Sequence, residues 1–109
     1  MDISKETQES ISRLQMLEQN VQAVLMQKQQ FQAQLFELES ALKEIEKTDE
    51  AYKILGNVML KTDKTALKAE LSSKKELIDL RLKTLDKQEK QLKEKTESLQ
   101  KEVMGKLKK

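Results

Sequence analysis

A glycine–asparagine pair near the middle of the 109 residues, Gly56-Asn57, limits what this chain can fold into. Short apolar, partly β-branched runs flank it, Tyr52 to Leu55 before and Val58 to Leu60 after. Such a pair between such runs is the local signature of a β-hairpin. The stretch 51–62 is the one segment that does not read as helix, and it holds the only tyrosine, Tyr52. A helix pattern of more than forty residues lies on either side. The predicted plan is helix, hairpin, helix, folded back at the turn.

The first helix, predicted over 1–47, can be capped by Asp2 or Ser4. From Leu14 its seam runs Leu14, Leu17, Val21, Val24, Lys28, Phe31, Leu35, Leu38, Leu42, Ile45, in steps of three and four. This is the apolar spacing of a coiled coil. Upstream the same register gives Ile3, Thr7 and Ser10, so the pattern weakens there. Lys28 is the polar exception within it. It either fixes the register or carries its charge out to the edge along its aliphatic stem. The glutamines around it (Gln22, Gln27, Gln29, Gln30, Gln32, Gln34) read as a neutral helix face rather than a prion-like tract.

The second helix, predicted over 64–108, can be capped by Thr62, Asp63 or Thr65. It carries Leu71, Ile78, Leu85, Leu92 and Leu99, one per heptad. After Leu67, the alternate seam positions read from the sequence are mostly polar: Lys74, Arg81, Gln88, Lys95, Glu102. Leu77, Leu80 and Leu82 broaden the stripe near the hairpin. The coil is therefore expected to be firm beside the hairpin and looser toward the chain ends, with Gly105 favouring fraying. Folding back sets Ile45 near Leu67, Leu35 near Ile78 and Leu14 near Leu99. Each arm spans roughly 65 Å at about 1.5 Å per residue.

Composition supports this reading and excludes others. There is no proline, 37% of residues are charged, and the aromatics are Phe31, Phe36 and Tyr52 alone. That composition suits one domain, 1–109, built of long helices rather than a large globular core. The apolar spacing is too regular for a disordered, charge-rich chain. Residues 1–46 carry 4 basic and 8 acidic groups, and residues 61–109 carry 15 and 9, so helices of opposite sign favour lying together. With neither cysteine nor histidine, the chain lacks thiolate or imidazole nucleophiles and the usual zinc ligands. No glycine-rich phosphate loop is present, and the carboxylate pairs fall on solvated faces where nothing shifts a pKa. Neither enzyme activity nor a cofactor is expected. The absence of cysteine fits a reducing cytosol. No apolar signal core opens the sequence and no run is long and apolar enough to span a membrane, so a cytoplasmic location is expected.

Two features lack partners on this plan. A two-stranded ribbon is marginal alone in water and has two open edges. Its second strand is apolar on both faces, and one helix pair cannot cover both. An oligomer built through 51–62, with helical arms projecting from it, is therefore expected; a hairpin folded over its own helices is the plainer alternative. At the chain ends, Ile3, Ile11, Met16, Val103, Met104 and Leu107 include apolar residues off the seam. Exposed methionines near an end suit a surface that accepts varied shapes, although scattered apolar residues are also ordinary on surfaces.

The residues also carry a family resemblance. Gln27-Lys28-Gln29-Gln30-Phe31, Leu38-Glu39-x-Ala41-Leu42-x-Glu44-Ile45, Tyr52-Lys53-x-x-Gly56 with Val58-x-Leu60-Lys61, and Leu80-Arg81-x-x-x-Leu85-x-x-Gln88-Glu89-x-x-Leu92 resemble the β-type subunit of prefoldin. The Tyr-Lys-x-x-Gly hairpin between two long helices is the specific part, and the resemblance covers nearly the whole chain. It implies a long antiparallel two-helix coiled coil whose central hairpin joins an oligomeric β-barrel platform, in a hexamer of two α and four β subunits. It implies an ATP-independent holding chaperone that grips unfolded proteins at the coiled-coil tips and hands them to a group II chaperonin. On this chain, Tyr52, Ile54, Leu55, Gly56, Val58, Met59 and Leu60 would build the platform. Ile3, Ile11, Leu14, Met16, Leu99, Val103 and Met104 would be the candidate client contacts.

Two other classes remain open at this point. One is a structural coiled-coil adaptor for a single partner. The other is a nucleic-acid binder using the basic second helix, although acids are interleaved there and no aromatic residue offers a base a stacking face.

Overall fold

The computed structural model describes residues 4–107. Its elements are α1 (Lys5–Glu46), β1 (Ala51–Leu55), β2 (Val58–Thr62) and α2 (Lys64–Leu107). The fold is mainly α, with an antiparallel hairpin between two long helices.

Side chains start both helices. The Thr7 N–H donates to Ser4 Oγ at 3.1 Å, and the Gln8 N–H donates to the Ser4 carbonyl at 3.0 Å. In α2 the Ala66 N–H donates to Asp63 Oδ2 at 3.1 Å, and the Leu67 N–H donates to the Asp63 carbonyl at 2.9 Å. Each cap satisfies an amide that the first turn leaves without an intrahelical acceptor. α1 closes on a tightened turn, with the Lys47 N–H on the Glu44 carbonyl and the Thr48 N–H on that of Ile45. α2 runs through Gly105 to Leu107.

The hairpin pairs Ala51 with Thr62, Tyr52 with Lys61, Lys53 with Leu60, Ile54 with Met59 and Leu55 with Val58. Gly56 has φ of +60°, and no non-glycine residue among those described has a positive φ. A positive first turn residue followed by an ordinary one is a type II′ turn, whose twist matches the strands it joins.

The described residues fall into two compact units, 30–82 and 4–29 with 83–107. In the first, the two helix segments run antiparallel. Glu46 pairs with Lys68, Glu39 Oε1 lies 3.9 Å from Lys75 Nζ, and the Arg81 guanidinium sits 5.7 Å from the Phe31 ring centre. Ile45, Ala51 and Ile78 are its buried apolar residues. In the second unit Val24, Leu85, Leu99 and Val103 are buried, together with the polar Thr7 and Ser10. The seam thus continues through the first turns of α1 on small polar side chains, where the sequence pattern had weakened.

The α2 seam is displaced from its expected register. Lys74, Arg81, Gln88, Lys95 and Glu102 are all exposed, and Lys75, Leu82, Glu89, Thr96 and Val103 take the inner positions. The cause is two successive steps of four residues, Leu67 to Leu71 to Lys75, after which the alternation resumes. Such a stutter restores the period of a straight helix, from which a strict heptad drifts. It replaces five polar seam positions with Lys75, Leu82, Glu89, Thr96 and Val103, so the seam toward the chain ends is better filled than expected.

Candidate functional site

The hairpin is the most exposed apolar element of its unit. Side chains alternate across the ribbon, so Tyr52, Ile54, Met59 and Lys61 share one face and Lys53, Leu55, Val58 and Leu60 the other. Ile54 and Met59, paired across the strands, are 66% and 65% exposed. Tyr52, Leu55, Val58 and Leu60 are also exposed. The hairpin does not fold back over its helices, and both of its faces are open.

The ribbon is held at its base. Lys53 Nζ donates to both Glu70 carboxylate oxygens, at 2.9 and 3.2 Å, tying β1 to α2. That ammonium, aided by Lys74, holds the Glu70 carboxyl below its ordinary value. The Tyr52 O–H donates to Glu50 at 3.0 Å, and Lys61 Nζ lies 3.8 Å from the same carboxylate. Ala51 is buried beneath. Sequence reading missed the Lys53–Glu70 tie. Its signal lay in the Tyr-Lys motif, whose lysine follows the buried Ala51 by two residues and so points to the same face.

The closing Leu55–Val58 pair sets the hydrogen-bond alternation. In an antiparallel ladder, alternate pairs bond inward, so the backbone groups of Tyr52 and Ile54 on one edge, and of Met59 and Lys61 on the other, point away from the ribbon. Two open edges and two apolar faces define a surface for strand addition. Fully covering one large apolar side chain yields about 1.5–3 kcal/mol, so covering six half-exposed ones supplies on the order of 5–10 kcal/mol. Association itself costs a comparable amount. The area of one hairpin therefore roughly offsets the cost of one association.

The second set of candidate residues lies in the other unit, apart from Ile3, which is outside the described residues. Met16 and Met104 are 63% and 53% exposed. Met16 borders a shallow groove with Lys5, Gln8, Glu9, Ser12 and Arg13. Ile11 and Leu14 are half-buried. Leu99 and Val103 are buried, Val103 at 5% exposure. Leu17 and Leu99 line one cleft with Arg13, Ser98 and Glu102. The apolar residues near the chain ends thus divide into exposed Met16, Met104 and Leu107, half-buried Ile11 and Leu14, and buried Leu99 and Val103.

The titratable groups that depart from their ordinary values do so through ion pairs, contrary to the expectation that nothing shifts them. Hydrogen bonds from Lys68 and Lys28 hold Glu46 and Glu89 low. Hydrogen bonds to Asp86 and Glu89 raise Lys28. Each shift favours the charged form. That is the behaviour of structural pairs rather than of a general acid or base poised near neutrality. Among the described residues no cluster of three or more metal-ligating side chains occurs, and no helix is long and apolar enough to cross a membrane.

A helix pair with an open apolar ribbon between its helices defines a class by its fold: a two-helix coiled-coil chain with a central β-hairpin. The comparisons place it within that class. A family model described as prefoldin subunit matches residues 8–109. The prefoldin β subunit of Archaeoglobus fulgidus is 36% identical over 107 residues, covering 95% of this chain and 92% of that one. That of Thermococcus onnurineus is 38% identical, with 94% and 90% covered, and that of Pyrobaculum neutrophilum 40%, with 92% and 84% covered. The crystal structure of the prefoldin β subunit from Thermococcus strain KS-1 superposes with a TM-score of 0.88 at 36% identity, over 95% of this chain and 94% of that one. The chain belongs to the prefoldin family and is of its β class, a chaperone subunit.

Proposed function

We propose that this chain is the β subunit of a hexamer with two α-type and four β-type members, which holds unfolded proteins without ATP and passes them to a group II chaperonin. The observation that carries the reading is the hairpin, apolar on both faces and exposed on both. The hairpins of neighbouring subunits cover those faces and edges in a shared β-barrel platform, using Tyr52, Ile54, Leu55, Gly56, Val58, Met59 and Leu60.

Clients are held by the unit that carries the chain ends. Met16 and Met104 are exposed on it and Ile11 and Leu14 partly so. Leu99 and Val103 join the client surface when the seam in which they are buried opens. Several weak apolar contacts from several subunits grip one client by avidity, so no single contact has to be tight and release needs no nucleotide.

The test combines mass in solution with a client assay. The chain mixed with an α-type partner forms the hexamer and suppresses aggregation of an unrelated unfolded protein without ATP. Removing the residues before Leu14 and after Leu99 leaves assembly and abolishes protection. A chain that stays monomeric with the partner defeats the platform, and full protection by the trimmed hexamer defeats the placement of the client surface.

A further inference from the structure

The seam of the unit formed by 4–29 and 83–107 contains one charged layer. Lys28 stands at an inner position of α1 and Glu89 at an inner position of α2. Their side chains are 17% and 14% exposed, and Lys28 Nζ donates to Glu89 Oε1 at 2.9 Å. Asp86 Oδ1, on a more exposed side chain, lies 2.8 Å from the same ammonium, and Lys93 Nζ lies 3.5 Å from the other Glu89 oxygen. Lys28 does not carry its charge out to open solvent; carboxylates of the facing helix take it up.

The sign of this layer is reversed. Over the whole sequence α1 is the acidic helix and α2 the basic one. The other α1–α2 ion pairs found among the described residues follow that division, with Glu46 facing Lys68 and Glu39 facing Lys75. Among the ion pairs of the described residues, Lys28 is the one place where α1 presents the cation and α2 the anions. General attraction between an acidic and a basic helix draws them together at any offset. One layer of opposite polarity, in which Lys28 meets both Asp86 and Glu89, is complete at one offset only.

The rest of this seam discriminates poorly. One heptad from Lys28 and Glu89, Val21 and Thr96 line one groove. One heptad further along each helix stand Leu14 and Val103. Sliding α2 by a heptad exchanges one apolar or small side chain for another at most layers. It also sets Lys28 against Thr96 or, in the opposite direction, Glu89 against Val21. The first slip brings Lys93 to the place of Asp86 and leaves the Lys28 ammonium without an anion; in the second, Asp79 takes the place of Asp86 beside Lys28, but Glu89 faces an apolar residue with only Lys93 of its own helix as its cation. The hairpin cannot be the sole guard of register, because a two-stranded ribbon is marginal until its neighbours cover it.

We propose that the sign-reversed Lys28–Glu89 layer selects the register of α1 against α2 before the hairpin is assembled. It acts by excluding the slipped pairings.

Paired cysteines in the full, unassembled chain read the register as oxidised disulfide. Val21→Cys with Thr96→Cys reports the native offset, and Val21→Cys with Val103→Cys reports a one-heptad slip. In the parent background the native pair closes and the slipped pair does not. In the K28L/E89L background, which keeps a continuous apolar seam and folds, the native-to-slipped ratio falls about tenfold or more, as expected when an excluded charged layer is removed. K28E alone lowers the ratio, and K28E/E89K restores it. If K28L/E89L closes the native pair as fully as the parent and the slipped pair no better, the layer does not select register and the proposal is overturned. If K28E fails to fold, the K28L/E89L comparison decides alone.

Discussion

A single ammonium, that of Lys53, reaches both oxygens of the Glu70 carboxylate and so fixes the base of the hairpin to α2. Both side chains are more than a third exposed, and solvent screens such pairs strongly. The effect of the pair is therefore expected in the aim of the hairpin rather than in the stability of the chain. Glu70→Gln should leave the thermal unfolding of the isolated chain nearly unchanged and weaken assembly with an α-type partner, read as dissociation at higher protein concentration. A large loss of melting temperature with unaltered assembly would assign the pair the opposite role.

The hairpin tip separates assembly from folding more sharply. Ile54 and Met59 touch little of their own chain, and exposed substitutions generally change stability by no more than about 0.5 kcal/mol. Ile54→Lys or Met59→Lys should therefore keep the helical circular dichroism signal and melting temperature. Each places a charge on the face proposed to meet neighbouring ribbons, and each should leave the chain monomeric in the presence of an α-type partner by analytical ultracentrifugation. Assembly unaffected by both substitutions would remove the hairpin faces from the interface.

Gly56 tests the turn. Its φ of +60° is left-handed, and a Cβ built there meets nothing within 4 Å, so backbone strain alone opposes a side chain. That strain is roughly 1–2 kcal/mol for an L-residue. Gly56→Ala should weaken assembly by a corresponding factor and leave the isolated helices intact. Asn57→Gly, at a position of ordinary φ, should have a much smaller effect. Equal losses in the two variants would argue against a type II′ turn.

The turn was readable because Gly56-Asn57 has few conformational options between apolar runs. The α1 seam was readable because its apolar steps are unbroken from Leu14 to Ile45 but for Lys28. The α2 seam was misread because Leu67, Leu71 and Lys75 step by four twice. A lysine at the stutter looks no more inward than Lys74 beside it, and only the facing helix decides between them. Thr7 and Ser10 were legible as register positions but not as buried ones, because a polar side chain gives no apolar signal of its burial. The partners of Lys28 were hidden too. Asp86 and Glu89 lie on the other helix, and the net charges of the two helices favour the opposite pairing.

The Lys28–Glu89 layer also makes stability depend on pH, with a sign that can be worked out. Lys28 holds the Glu89 carboxyl below its ordinary 4.5, so the contribution of Glu89 is present above that value and is lost as pH falls through its folded pKa. Lys28 is raised above 10.5, so its contribution is complete below 10.5 and is lost as pH rises through its folded pKa. The parent chain should have its widest stability margin over Glu89→Gln between these limits. The two melting temperatures should converge as pH is lowered beyond 4.5, because the parent carboxylate then becomes neutral as well. Melting curves that stay parallel through the acid range would show that the pair adds nothing to the folded state.

Near the chain ends, buried and exposed apolar residues should separate stability from client capture. Val103 is among the most buried side chains described. Val103→Ala removes two methyl-sized groups from the seam, an expected loss of about 1.5 kcal/mol in the unfolding of the isolated chain. Met16 and Met104 are exposed, so Met16→Ser with Met104→Ser should leave that stability unchanged. In the proposed hexamer, however, the double variant should protect a denatured client less well, in proportion to the apolar area lost from each subunit. A disulfide between Leu14→Cys and Val103→Cys distinguishes the remaining possibilities. If Leu99 and Val103 reach clients by opening of the seam, the oxidised hexamer loses protection and reduction restores it. If the methionines suffice, oxidised and reduced hexamers protect equally, and the buried pair belongs to the seam alone.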